Sequence, residues 1–367
     1  MDAPGPWGSG PFELREGFSS FEAEIGLISG EPFACTWVPT NLPRSDRVVL
    51  EANPDHWNRE RGPRLGRVEF VNDMDPAEAL ERVCDAEGEI DLVTEVSPAD
   101  AERVRRSEHA RLVVVDALRV VSGLINRDAE FMRDLRVRRA LNLAVDRGRL
   151  IREVFRGYAR PVVAMAPPHS GGAAEGVNPY PHDPEEARRL LSEAGWPPGR
   201  GLRLAATDDV APVAHSLAED FRGSLGVEVE LVRIPQERLV AAQKRLVEKR
   251  LPLPFDVLVH AWFDLAAGYP PAVIHREYFH SLGAFRAGPP VPQFEELFAR
   301  SLAQTDARRL GALAREIDRL VYDEALSVFL CCPQALVAAN RHVSFTGHAA
   351  TFELAETGVS GEHWSVR

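Results

Sequence analysis

The chain has 367 residues, 45% hydrophobic and 27% charged, a length and balance that suit a globular protein of about two lobes. A net charge of −12 and an isoelectric point near 5.5 exclude the basic face that phosphate backbones and anionic membranes require, so no nucleic acid is expected as a partner. No run approaches the roughly 18 consecutive apolar residues of a membrane span, and MDAPGPWGSG at the start has neither the basic nor the apolar region of a signal peptide.

Short apolar runs alternate with amphipathic helices, the order of an α/β fold with largely parallel strands. Strands are expected at residues 67–71, 90–93, 112–115, 202–206, 227–234, 256–262 and 327–330, each short, aliphatic or β-branched and bounded by turn residues. Asp75-Pro76-Ala77-Glu78 and Asp183-Pro184-Glu185-Glu186 both read as capping boxes, with aspartate at N-cap, proline at the first helical position and glutamate at N3. Gly195 suits the C′ position of the second of these helices. Ser97-Pro98 opens another helix, rich in arginine on its outer side. From about 135 to 156 one long helix is expected, ended by Gly157, with Val137, Leu141, Ala144, Val145, Ile151 and Phe155 on a buried stripe and Arg136, Arg139, Arg149 and Arg152 facing water. The Gly- and Pro-rich loops at 166–181 and 283–292 are the candidate mobile segments.

No catalytic motif is present: the chain lacks G-x-S-x-G, a Walker-type phosphate loop and H-E-x-x-H, and Gly8-Ser9-Gly10 has no following glycine to complete a dinucleotide fingerprint. Eleven histidines raise the question of a metal, but the nearest groupings, His275 with His280 and His342 with His348, do not share a helical face, and neither a metal nor a cofactor is expected. Four cysteines are too few for a disulfide framework. Adjacent Cys331 and Cys332 in SVFLCC fall on opposite faces of a strand, where two buried small hydrophobes is the leading reading and a vicinal disulfide or a soft-metal site the alternatives.

Residues 137–161, VRRALNLAVDRGRLIREVFRGYARP, followed by DPEEARRLLSEAGWPPG at 183–199, resemble the signature of the family 5 extracellular solute-binding proteins, the peptide- and nickel-binding components of ABC importers. GSGPFEL at 8–14, EANPDHW at 51–57, EIDLV at 89–93, FDVLVHAW at 255–262 and EIDRLVYDEA at 316–325 are similar to further stations of that family in the same order. The resemblance implies an α/β, two-lobed periplasmic-binding-protein-like fold (type II, family 5) lacking the usual N-terminal segment, with lobe I at 1–120 plus 335–367, incomplete, and the second, ligand-binding lobe at 121–334. It implies a protein that captures a small peptide or similar polar solute between two lobes for an ABC permease and does not catalyse. In peptide-binding members the comparable strand ends in W-x-x-D-Y, whose aspartate receives the ligand's amino terminus. Here Asp264 follows Trp262 by two positions, so it is either that acceptor or the cap of a turn, with Trp262 as packing. Asn126, resembling the family's asparagine at the crossing strand, either holds the ligand or ties strands. His260 and Tyr269 complete the candidate ligand-binding set of Asn126, His260, Trp262, Asp264 and Tyr269. The family's setting is extracytoplasmic; if the chain as given is complete, it is cytoplasmic, and a cytosolic ligand sensor or biosynthetic enzyme with the same fold is the alternative function. An incomplete lobe I would present an unpaired edge, to be covered by a homodimer or a partner chain.

Overall fold

The computed structural model describes residues 8–17, 26–27, 35–36, 45–234, 255–263, 272–283, 285–348 and 353–367. The chain divides into two compact units, one of Met1–Gly26, Trp37–Ala117 and Ala335–Arg367, the other of Leu27–Thr36 and Leu118–Gln334.

The first unit begins with β1 (Phe12–Glu16); the chain then passes through the short pair β2 (Gly26–Leu27) and β3 (Cys35–Thr36), all but Gly26 in the segment Leu27–Thr36 that belongs to the second unit, before β4 (Arg47–Ala52) and β5 (Arg67–Val71), and β1, β4 and β5 form an antiparallel sheet in that order. The two motifs at its base are tied together: Asn53 Nδ2 donates to Gly10 O at 3.1 Å, and His56 Nδ1 stands 3.2 Å from Ser9 O. Helix α1 (Pro76–Asp85) is capped as its sequence predicts, Asp75 accepting from the backbone N–H groups of Ala77 and Glu78. After β6 (Leu92–Val93), the helix expected to open at Ser97-Pro98 starts later. Ser97 Oγ accepts from the Asp100 N–H and holds a turn, and α2 (Ala101–Arg106) follows, leading to β7 (Ala110–Val115).

The second unit is a mixed sheet with helices on both faces. Its first strand, β8 (Arg119–Ile125), is buried along nearly its whole length. Then come α3 (Leu135–Leu143), α4 (Arg147–Glu153), β9 (Ala159–Pro161), α5 (Pro184–Glu193), β10 (Leu202–Thr207), α6 (Ala211–Leu225), β11 (Val229–Ile234), β12 (Val257–Phe263), α7 (Ala272–Phe279), α8 (Pro292–Leu302), α9 (Ala307–Asp323) and β13 (Ser327–Pro333). The strand order is β11-β10-β12-β8-β13-β9. Among the described residues of this sheet, parallel pairing is confined to β10 with β11 and β12, so the expectation of largely parallel strands is corrected. The reason is topological: β8 brings the chain into the unit and β13 carries it out, and these neighbours therefore run in opposite directions. Strand alternation divides the core, with Val121 and Ile125 of β8 in the cluster that includes α3 to α6 and Val120 and Leu124 in the one that includes α7 to α9. At Gly123 a Cβ would meet Val257 Cγ1 at 2.8 Å and Val328 Cβ at 3.0 Å, so only glycine lets the two flanking strands close on β8. A bulge at Leu330 in β13 turns both Leu330 and Cys331 to the first cluster while Cys332 enters the second; both cysteines are buried thiols not joined in a disulfide.

Two further expectations are corrected here. The long helix of residues 135–156 is two helices, broken where Asp146 leaves helical geometry, caps α4 by accepting from the Arg149 N–H at 2.8 Å and donates its own N–H to the Asp220 carboxylate at 3.1 Å. Val137, Leu141 and Val145 are fully buried, whereas Phe155 is only partly so, packed at the cluster margin. Arg149 is drawn from water into a bridge with Asp220, 2.8 Å away. The break swings Arg147 inward: its buried guanidinium, with no ion-paired carboxylate among the described residues, donates to the carbonyls of Phe329 (2.7 Å), Asn142 (3.0 Å), Val145 (3.3 Å) and Tyr180 (3.1 Å) and to Asn142 Oδ1 (3.1 Å). Asn142 in turn donates to Ser327 O and accepts from the Phe329 N–H, stitching α3 to β13. The loop at 166–181 is anchored: the buried Asp318 carboxylate of α9 accepts from the N–H groups of Met165, Ala166 and Ala174 and contacts His275 Nε2 of α7 at 2.9 Å.

The chain then re-enters the first unit through β14 (Ala335–Asn340), which pairs with both β6 and β7, and ends in the short ladder of β15 (Val343–Ser344) with β16 (Gly358–Val359). Val337, Ala339, Val343 and Phe345 make the core there, and Asp91 accepts from Asn340 Nδ2 and Trp364 Nε1 and pairs with His363 Nε2.

Candidate functional site

The parallel strands β10, β11 and β12 all end at one edge of the second unit's sheet. From β10 the chain turns through Asp208–Val210 into α6 and on to β11 on one side, while β12 lies on the other. Open α/β sheets bind ligands where connections from adjacent strands leave in opposite directions, at the strands' carboxyl ends, and here that place lies between β10 and β12. The antiparallel β8 brings its first residues to the same edge, Arg119 pairing with Phe263 and Val120 with Trp262.

Arg119 Nη2 donates to Asp209 Oδ2 at 2.8 Å, and Thr207 Oγ1 to Asp209 Oδ1 at 2.6 Å. The Asp209 side chain keeps 50% of its surface exposed despite these partners. Next to it, Arg233 holds Asp208 in a two-point pair. On β12, residues 258, 260 and 262 share one face, so His260 and Trp262 project together toward α7. The Trp262 indole N–H donates to Ser122 Oγ at 3.4 Å, and Tyr278 of α7 covers both rings, its centroid 5.2 Å from His260 and 6.4 Å from Trp262. The Tyr278 hydroxyl lies 3.3 Å from His260 Nδ1. Burial pushes the His260 pKa down to about 4, against an opposing pull from the Asp209 carboxylate, so the ring is neutral at physiological pH. Burial pushes the Tyr278 phenol far up, and it stays protonated.

His260 and Trp262 are thus brought together, with Arg119, Ser122, Asp209 and Tyr278 around them. Asn126 is not: it sits at the opposite end of β8, where Ile125 pairs with Val257, about 20 Å along the strand from the level of Trp262. There its Nδ2 donates to Phe255 O at 3.0 Å and its Oδ1 accepts from the Asp128 N–H at 3.3 Å, a strand tie that uses both ends of the amide. Asp264 and Tyr269 lie outside the described residues. Sequence reasoning missed Arg119 and Ser122 because Ser122-Gly123 interrupts the apolar run of β8. For Asp209 the available signal was the acidic pair directly after a strand, in AATDD. Among the described residues no group of three or more His, Cys, Asp or Glu side chains is placed to hold a metal, and no helix is long and apolar enough to cross a membrane.

The family model for bacterial extracellular solute-binding proteins, family 5 (middle part), matches residues 4–276. Over 316 residues the chain is 24% identical to di/tripeptide-binding protein 2 of Pseudomonas aeruginosa (strain UCBPP-PA14), an alignment that covers 84% of this chain and 57% of that protein. It is 28% identical over 214 residues to the glutathione-binding protein GsiB of Escherichia coli (strain K12), covering 58% of this chain and 35% of the relative. The chain thus spans little more than half the length of the first of these curated relatives and about a third of the second. Among solved structures, the ABC transporter substrate binding protein CtaP from Listeria monocytogenes shares the fold with a TM-score of 0.76 at 16% identity, over 96% of this chain and 66% of that one. On the match across residues 4–276 and this shared two-lobed α/β fold, the chain belongs to family 5 of the bacterial extracellular solute-binding proteins.

Proposed function

We propose that this chain is a solute-binding component of an ABC importer, working outside the cytoplasm, and that it captures a small peptide or similar polar solute for a permease without catalysing any reaction on it. The observation that carries the reading is the family match across residues 4–276, supported by relatives named for di/tripeptides and for glutathione. A cytosolic sensor or biosynthetic enzyme has no counterpart among these relatives. The two units are assigned as the family's two lobes, and His260 and Trp262 as solute contacts. The chemistry at the sheet edge fits a zwitterion: Arg119 offers a guanidinium to a carboxylate and the half-exposed Asp209 a carboxylate to an ammonium, each exchanging its present partner for the ligand.

Native mass spectrometry of the purified protein tests this directly, followed by calorimetry against an equimolar pool of di- and tripeptides that includes glutathione. A bound peptide mass and saturable heat are expected, with binding weakened at least tenfold in Asp209→Asn. A protein that takes up no member of the pool at millimolar concentration refutes the reading.

A further inference from the structure

His260 is a residue of this edge with an unused polar atom. Its Nδ1 faces the Tyr278 hydroxyl, but its Nε2 is buried and has no hydrogen-bond partner among the described residues. The neighbouring indole N–H of Trp262 is already engaged by Ser122. A neutral imidazole carries one proton, and the tyrosine decides where it sits. The Tyr278 side chain is itself buried, with His260 as the hydrogen-bond partner of its hydroxyl. If Nδ1–H donated to the phenol oxygen, two polar groups would be stranded away from water, the phenol proton and the Nε2 lone pair. With the phenol donating to Nδ1, only the Nε2–H is stranded. Each stranded group carries its full desolvation penalty, so the second arrangement prevails. A buried donor without an acceptor is rare in a native protein and points to a partner that arrives.

Resting on the peptide-binding reading, we infer that His260 determines specificity at this site: its Nε2–H donates to a carbonyl or carboxylate oxygen of the bound peptide, and the ring is held in that tautomer by Tyr278. The contact rewards an acceptor and gives nothing to an ammonium, which is left to the Asp209 carboxylate. His260 therefore complements the charged groups at the edge by selecting the oxygen-bearing end or backbone of the solute.

The tightest binder in the di- and tripeptide pool, once identified with the parent protein, is titrated calorimetrically into His260→Phe and His260→Gln. Phenylalanine keeps the ring volume and removes the donor; glutamine restores an N–H near the position of Nε2. A 10- to 100-fold loss in His260→Phe, with substantial recovery in His260→Gln and thermal melts confirming that both are folded, supports the inference. Histidine 15N spectra of the parent supply a second readout, in which a protonated Nε2 that shifts on peptide addition is expected. Titrating the C-terminal amide of the same peptide separates the two oxygen sources: a loss in the parent that disappears in His260→Phe assigns the carboxylate, and an unchanged difference between parent and variant assigns a backbone carbonyl. Equal affinity of parent and folded His260→Phe, or a proton on Nδ1 instead of Nε2, overturns the inference and leaves the peptide-binding reading standing. A parent that binds no peptide overturns both.

Discussion

Replacing Arg147 by methionine removes a buried guanidinium while keeping most of its aliphatic volume. Four main-chain carbonyls, those of Phe329, Asn142, Val145 and Tyr180, lose a donor together. At about 1 kcal/mol for each buried acceptor left wanting, the cost is about 4 kcal/mol. The gain from no longer burying a charge offsets part of it, because burial already disfavours the cation and draws its pKa down to about 10. A net loss of about 2–4 kcal/mol is expected, read by urea titration as a lower midpoint of the second unit's transition with an unchanged slope. Arg147→Lys keeps the charge but loses the fork and should fall between the two. Because Arg147 touches strand, helix and loop backbone, peptide affinity measured on the folded variant should not move. A variant within 0.5 kcal/mol of the parent refutes the keystone role, and one that melts normally but fails to bind peptide makes Arg147 a ligand residue instead.

Leu141→Ala should destabilise by about 2–5 kcal/mol, since the side chain is fully buried between α3 and the sheet; a denaturant titration showing under 1 kcal/mol would mean that the site collapses without a cavity. Gly123→Ala should cost about 1–3 kcal/mol by forcing Val257 and Val328 apart, visible as a lower melting temperature with no change in ligand preference. For His260 the folded pKa of about 4 lies below the unfolded value near 6.5, so the unfolded chain binds the extra proton between these limits and stability rises with pH there. The contribution is fully present above pH about 6.5 and is lost as pH falls toward 4, on the order of 3 kcal/mol in all. In melts across that window the parent should lose stability relative to His260→Phe as pH drops, and parallel curves would show that the ring is not held neutral.

What the sequence made legible was local. The aspartates at 75 and 183 cap their helices because a cap is settled within four residues, and Gly195 at φ +73° ends its helix for the same reason. The Val137, Leu141 and Val145 stripe was readable because burial leaves a period. The burial of Arg138 and Arg147 was not, since a guanidinium looks outward until the carbonyls that satisfy it are known, and those come from as far away as Glu324 and Phe329. The Asp146 break escaped because the apolar period runs through it unbroken. At the site, the aromatic and histidine of β12 stood out in sequence, but their partners did not: Arg119 meets Asp209 from 90 positions away, and Tyr278 is placed by a helix packing that no spacing encodes.

The pairing of β8 with β13 joins Gly123 to Val328, 205 positions later in the chain. At about 5–20 residues per second of synthesis, the strand at the centre of the sheet waits roughly 10–40 s for its neighbour to be made. Until then β8 has no final partner on that side, and its Val120 and Leu124 face waits for the helices from residue 272 onward. Closure of the sheet is therefore nearly the last event of folding for this unit. A chain built this way stays open through most of its synthesis, which leaves time for a holding factor to engage it before the native sheet locks.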